Sequence, residues 1–284
     1  MLYSELQCSE AIHKAVERMG FAEMTEIQEK TIPLMLAGHD VIAKAPTGTG
    51  KTCAFGIPVV EHIQPENKYP QAVIMAPTRE LAQQIAEELT NLTYFMPEVQ
   101  VACVYGGANM EKQAKRLAEG CQIVVATPGR LMDHYKHHSI DISHVTQIVL
   151  DEADEMLNMG FYKDVRHIIE MMKARKALSM FSATISREVM DIGWLYQHNA
   201  EEITVQPTMD AMFDQIADCL RADEKVTIAG FGRFEMRPRK PKAYTNPKTK
   251  VSSQLESTSI PGFKASGRFK QKLEAGKKSV EETA

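Results

Sequence analysis

From Met1 to about Gln206 the chain repeats one pattern. A short run of successive apolar residues ends in a turn holding glycine, proline or acid, and an amphipathic stretch follows. The runs predict strands over Val41–Ala45, Ala72–Ala76, Val99–Tyr105, Gln122–Ala126, Gln147–Leu150 and Leu178–Phe181. Ile203–Val205 adds one more before Pro207. Apolar residues on both faces are what buried parallel strands require. Between the runs, Leu81, Ile85, Leu89 and Leu92 recur at helical spacing, as do Val165, Ile168, Ile169 and Met172. Strand alternating with helix predicts an α/β domain with a doubly wound parallel sheet.

From Pro207 the texture changes. Met212, Phe213, Ile216, Ala217 and Leu220 predict a short helix, and Lys225–Ala229 and Gly230-Phe231-Gly232 follow. Next comes a basic stretch rich in Pro, Lys, Thr and Ser. Pro238, Pro241 and Pro247 exclude a central strand there and suit an edge or a protruding arm. Phe263, Phe269 and Leu273 anchor a last short helix, and residues 276–284 read as a frayed tail. This second segment is expected to be small and of α+β type, with a basic β-arm.

Composition changes the picture little. Hydrophobic residues are 44% and charged residues 25% of the 284, which excludes a wholly disordered chain. No apolar run approaches the roughly 20 residues of a membrane helix, so no membrane partner is expected. The first residues lack the basic and apolar regions of a secretory leader. The five cysteines (Cys8, Cys53, Cys103, Cys121, Cys219) form no C-x-x-C pair. That pattern suits a reducing, cytoplasmic setting and small core residues better than zinc or disulfides.

Charge changes it more. The net charge of −4 hides a balance of −9 over residues 1–206 and +5 over residues 207–284. Residues 233–272 hold 11 basic and 2 acidic side chains. Such asymmetry points to two modules, the second one meeting a polyanion.

The chemistry is concentrated in two motifs. Ala45-Pro46-Thr47-Gly48-Thr49-Gly50-Lys51-Thr52 follows the first strand and opens an apolar helix, as a phosphate-binding P-loop does, although Ala45 stands where the strict pattern has glycine. Gly48 and Gly50 let backbone N–H groups curl around phosphate oxygens at a helix N-terminus. Lys51 supplies a point charge to the β- and γ-phosphates, and the Thr52 hydroxyl is a magnesium ligand. The strand Gln147–Leu150 runs into Asp151-Glu152-Ala153-Asp154. There Asp151 would hold Mg²⁺ and Glu152 would orient and deprotonate the attacking water.

These residues make residues 1–206 resemble the first RecA-like domain of a DEAD-box RNA helicase. Gly20-Phe21-Ala22-Glu23-Met24-Thr25-Glu26-Ile27-Gln28 resembles that family's Q motif, whose glutamine reads adenine; Met24 replaces its usual proline, and Tyr3 stands for the upstream phenylalanine that stacks on the base. The resemblance implies an ATP site of Tyr3, Thr25, Gln28, Thr47, Gly48, Thr49, Gly50, Lys51 and Thr52. It implies RNA contacts from Pro77, Thr78 and Arg79, from Gly106 and Gly107, and from Thr127, Pro128, Gly129 and Arg130. It makes Asp154, Ser182 and Thr184 the elements that couple hydrolysis to strand separation. All but the Q motif follow predicted strand ends, the edge where open α/β sheets bind ligands. The family has a second RecA-like domain that supplies an arginine finger, worth about 10³–10⁵ in rate. Residues 207–284 are too few for it and hold no H-R-x-G-R-x-G-R pattern. The expectation is ATP–Mg²⁺ binding with slow hydrolysis, doubtful unwinding, and a partner that supplies the other half.

Val226–Phe234, Asn246-Pro247-Lys248-Thr249 and Ile260-Pro261-Gly262-Phe263-Lys264-Ala265-Ser266 resemble the bacterial histone-like HU and integration host factor family, over about residues 212–274. Members of that family extend β-arms along the DNA minor groove with a proline wedge at the tip. The resemblance implies DNA contacts from Arg237, Arg239, Lys240, Lys242, Lys248 and Lys250, with Pro247 as the wedge. Thr245 and Lys250 depart from the family's arginine and glycine, and helices that build the family's dimer body are missing before Met212. Three readings therefore stand open: an RNA helicase-type ATPase, a non-catalytic RNA clamp or architectural binder of double-stranded DNA, and two joined gene fragments without a joint function.

Overall fold

The computed structural model describes residues 1–205, 209–239, 242–245, 252–255 and 258–270. It divides into two compact units, Met1–Gln206 and Pro207–Ala284.

The first unit is built on a parallel seven-stranded sheet. Its strands are β1 (Val41–Lys44), β2 (Ala72–Met75), β3 (Val101–Val104), β4 (Ile123–Ala126), β5 (Gln147–Leu150), β6 (Ala177–Ser182) and β7 (Glu201–Thr204), in the spatial order β3-β4-β2-β5-β6-β1-β7. Its helices are α1 (Glu10–Arg18), α2 (Glu26–Leu36), α3 (Lys51–Glu61), α4 (Arg79–Leu92), α5 (Met110–Ala118), α6 (Pro128–Lys136), α7 (Ala153–Met156), α8 (Tyr162–Met171) and α9 (Arg187–Tyr196).

Successive strand residues point to opposite faces, and both faces are covered. Ala43, Ile74, Ile123, Val125, Val149 and Phe181 pack into one core with α1–α4. Ile42, Val73, Met75, Val124, Ala126, Leu150 and Met180 pack into the other with α6, α8 and α9. That two-sided burial is why the strands read as unbroken apolar runs.

The predicted strands occur with shifted ends. Val99 donates its N–H to Met96 in a turn, so β3 begins at Val101, and Tyr105 already belongs to the following loop. Leu178–Phe181 extends by one residue at each end. The last strand is Glu201–Thr204 and not Ile203–Val205: it runs parallel to β1 with Ile203 opposite Ala43. Only Ile203 of its four residues is buried, which leaves a weak apolar signal.

The second unit holds α10 (Met209–Arg221) and β8 (Val226–Ile228), β9 (Gly232–Arg239) and β12 (Thr258–Ala265) in one antiparallel sheet, with β9 central; β10 (Lys242–Thr245) and β11 (Ser252–Leu255) pair separately. Pro238 lies inside β9, where the sequence pattern excludes a central strand. The register explains it: β8 reaches only Phe234, so beyond that residue β9 has β12 alone as a neighbour and is locally an edge. Pro241 and Pro247 lie outside the described residues. On α10, Ile216 and Leu220 are buried while Phe213 is half exposed. Phe231, Phe234, Phe263 and Phe269 gather in one aromatic cluster, with ring centroids 4.7–6.4 Å apart. Phe269 lies in the last described helical turn; Leu273 lies outside the described residues.

Candidate nucleotide and nucleic-acid site

The loop after β1 turns through two left-handed glycines, Gly48 (φ +82°) and Gly50 (φ +84°), before α3 begins at Lys51. A cleft of about 530 Å³ opens there, lined by Thr47, Gly48, Gly50, Lys51 and Thr52 together with Tyr3, Thr25, Gln28, Asp151 and Glu152. Residues from four separate stretches of sequence thus meet at the C-terminal rim of the sheet.

The stretch before α2 is bolted to the loop. The Thr25 hydroxyl donates to the Thr49 carbonyl at 2.8 Å, and Gln28 Nε2 donates to the Gly50 carbonyl at 3.1 Å. Gln28 Oε1 accepts from the Tyr3 hydroxyl at 2.7 Å and from the Thr25 N–H at 2.8 Å. An amide nitrogen carries two hydrogens, so one donor of Gln28 has no partner in this set. Tyr3 is buried, and burial raises its phenol above the ordinary value. Phe21, stacked on it at 6.4 Å, is the aromatic that stays half open on the cleft.

Lys51 is buried, with Nζ 3.4 Å from the Ala45 carbonyl. Asp151 is also buried. Burial pushes its carboxyl up to about 6, the Glu152 charge adds to this, and the Lys51 ammonium pulls the other way. The Lys51 ammonium and Thr52 hydroxyl at the start of α3, facing the same cleft as the buried Asp151 carboxyl after β5, form a set that fits a phosphate chain with a hard cation. Glu152 adopts φ +48°, uncommon for a residue with a side chain, at the start of α7.

Asp154 is turned away from the loop after β1 toward the end of β6. Its Oδ2 accepts from the Thr184 N–H at 2.8 Å and the Thr184 hydroxyl at 2.6 Å. Its own N–H donates to Ser182 Oγ at 3.2 Å, and that hydroxyl donates to the Thr184 carbonyl at 2.7 Å. Burial opposes ionisation of Asp154, but the hydrogen bonds from the Thr184 hydroxyl and N–H outweigh it and hold the carboxyl below its ordinary range.

The remaining rim positions start helices or fill loops. Pro77 precedes Thr78, which caps α4 by accepting the Leu81 N–H at 3.3 Å; Arg79 is exposed and paired with Glu80 at 2.6 Å. Gly107 takes φ +83° beside Gly106 in the loop after β3. Thr127 starts α6, with Pro128 and Gly129 in its first turn. Arg130, the other expected cationic contact, is largely covered, with Nη1 donating to the Ala108 carbonyl at 3.2 Å.

A family model described as DEAD/DEAH box helicase matches residues 25–192. The chain belongs to the DEAD/DEAH box helicase family. The helicase segment is 47% identical over 206 residues to the ATP-dependent RNA helicase CshA of Limosilactobacillus reuteri, covering 72% of this chain and 41% of that relative. Two solved structures are similar: a hypothetical ATP-dependent RNA helicase from Sulfolobus tokodaii (TM-score 0.65, 41% identity, 69% of this chain and 57% of that one) and a DEAD box protein from Methanococcus jannaschii (TM-score 0.68, 36% identity, 78% and 63%). The chain thus spans well under two thirds of the curated relative's length. A second model, described as bacterial DNA-binding protein, matches residues 195–274. No helix among the described residues is long and apolar enough to cross a membrane.

In the segment matched by this second model, Arg237 is exposed on β9 and 3.2 Å from Glu235, which also lies 3.5 Å from Arg233. Arg239 and Lys242 are placed by their backbone on β9 and β10. Lys240, Pro247, Lys248 and Lys250 lie outside the described residues.

The helicase cleft also holds residues that the sequence motifs do not single out for it. Leu81, Gln84 and Glu88 of α4 form one wall, and burial pushes the neighbouring Cys53 thiol up to about 12. Their spacing of three and four residues is that of a helix stripe, which in sequence reads as ordinary packing.

Proposed function

We propose that the chain is an RNA-dependent ATPase module of helicase type, binding ATP and Mg²⁺ in the rim cleft and single-stranded RNA along the same rim. The observation that carries this reading is the convergence of Lys51, Thr52, Asp151 and Glu152 on one cleft. Thr52 and Asp151 would hold the magnesium ion, which when bound neutralises charge on the β- and γ-phosphates. Gly48, Gly50 and the start of α3 direct backbone N–H groups at the phosphates. Lys51 draws charge from the transferring group, and Glu152 takes the proton of the attacking water. Asp154, Ser182 and Thr184 form the joint through which a change at the cleft reaches β6.

By itself the chain turns over slowly, because residues 207–284 offer no arginine-finger pattern. A second RecA-like half, from a partner or a further segment, would complete the RNA cleft and enable unwinding. Phosphate release with and without oligouridylate tests the reading. RNA stimulation that Lys51→Ala abolishes is expected. Stimulation that survives Lys51→Ala would overturn it.

The match of residues 195–274 to the bacterial DNA-binding model and the +5 balance of residues 207–284 favour a second activity. The C-terminal unit binds duplex DNA through its basic strands, with an affinity that falls steeply as salt rises. Salt-insensitive or absent duplex binding would remove this reading without touching the first.

A further inference from the structure

We infer that Gln113 and His134 are positioning residues that lock the Gly106–Gly107 loop and the Thr127–Arg130 element into one preformed RNA platform. This rests on the reading of those two elements as RNA contacts.

Gln113 lies on α5 and His134 on α6, and both are buried, His134 completely. Gln113 Nε2 lies 3.1 Å from the Tyr105 carbonyl, immediately before Gly106. A carbonyl only accepts, so the amide orientation follows, and Gln113 Oε1 faces His134 Nε2 at 3.0 Å. An amide oxygen also only accepts, so His134 carries its proton on Nε2. Nδ1 is then a bare acceptor, and it is buried with no partner. Burial and the Arg130 charge disfavour protonation of this imidazole, in keeping with the neutral donor tautomer.

The same helix reaches the loop a second time, through Arg130 Nη1 and the Ala108 carbonyl at 3.2 Å. The loop is therefore held at both ends by side chains of α6, at one end directly and at the other through α5. Gly106 and Gly107 form a turn, and the β3–β4 ladder ends at Val104, before this segment. With two adjacent glycines and no backbone ladder, the segment depends on these side chains for its shape. Fixing it beforehand removes an ordering cost that RNA binding would otherwise carry.

The test reads the loop itself, because the basic second unit gives RNA another place to bind. Hydrogen exchange over residues 105–109 and 127–131 is followed in the full chain as oligouridylate is titrated, with an ATP analogue present. In His134→Leu the RNA concentration giving half protection rises about 10-fold, as loss of one buried hydrogen bond implies. Affinity for a fluorescent ATP analogue stays unchanged. His134→Gln, whose side-chain amide can still donate to Gln113, restores most of the loss. Should His134→Leu fail to fold, Gln113→Met removes both bonds and carries the same expectation. Unmoved protection in these variants overturns the platform. So does equal loss of ATP-analogue affinity, which would mark a merely structural role. If the unsubstituted chain shows no RNA-dependent protection at either element, the RNA reading itself falls and takes the platform with it.

Discussion

Gln28 Nε2 donates to the Gly50 carbonyl at 3.1 Å, and a Cβ on Gly50 would meet that same nitrogen at 2.5 Å. The two residues are 22 positions apart, yet each limits what the other can be. Gly50 also sits at φ +84°, where a side chain costs about 1–2 kcal/mol. Gly50→Ala therefore strains the backbone and pushes Gln28 away from the loop. ATP-analogue affinity, read by fluorescence titration, falls at least about 10-fold, while Gly20→Ala, at φ +80° but with nothing within 4 Å of its Cβ, carries the same backbone cost without the clash and loses less.

The two bonds from Thr184 to Asp154 give a pH-dependent expectation. Asp154 is held below its ordinary value, chiefly by hydrogen bonds that overcome burial. A depressed carboxyl pKa contributes stability above the ordinary carboxylate range, and that stability is lost as pH falls through the depressed value. Thr184→Val removes the hydroxyl bond at 2.6 Å and lets the pKa rise. Urea unfolding at neutral pH shows a loss of about 1–3 kcal/mol. The deficit shrinks as the solution is acidified below about pH 4. A deficit that is the same at both pH values would separate Asp154 ionisation from this effect.

Glu152 borders the cleft beside Asp151 without any cation paired to it among the described residues. Its uncommon φ of +48° sets its direction relative to the start of α7. Glu152→Gln keeps shape and removes the base. Steady-state phosphate release drops about 10²–10⁴-fold, and ATP-analogue affinity changes less than about threefold. An equal loss in both would instead assign Glu152 to binding.

Much of the sheet and of the cleft is legible in the amino-acid pattern. The strands stand out because both faces of the sheet are buried, so Val73, Ile74 and Met75 have to be apolar in succession. The loop after β1 is legible because Gly48 and Gly50 serve φ values that other residues rarely adopt. Other features are not. Glu201–Thr204 is an edge strand with one buried residue, and edge strands carry little apolar signal. Gly160, at φ +91°, makes a kink between α7 and α8 that no periodicity marks. The covering of Arg130 is not legible, because arginine is usually exposed. Arg130 bonds the carbonyl of Ala108, a partner 22 residues away. Gln113 and His134 belong to no motif, and sequence spacing does not show that their side chains meet.

Glu235 sits between Arg233 and Arg237 on β9, 3.5 Å and 3.2 Å away. The two guanidinium groups hold its carboxyl below the ordinary value despite the opposing effect of desolvation. An acid in this place cancels charge that a phosphate backbone would otherwise use. Glu235→Gln should therefore tighten duplex DNA binding, and Arg237→Ala should weaken it. Each phosphate neutralised contributes about 0.9 to the slope of log affinity against log salt. Fluorescence anisotropy across a salt series should show the slope falling by about one in Arg237→Ala and rising in Glu235→Gln. The two variants move in opposite directions only if Arg237 touches DNA. If Glu235→Gln leaves slope and affinity unchanged, the exposed face of β9 is not the DNA-binding face, and contact would have to come from elsewhere in the C-terminal unit.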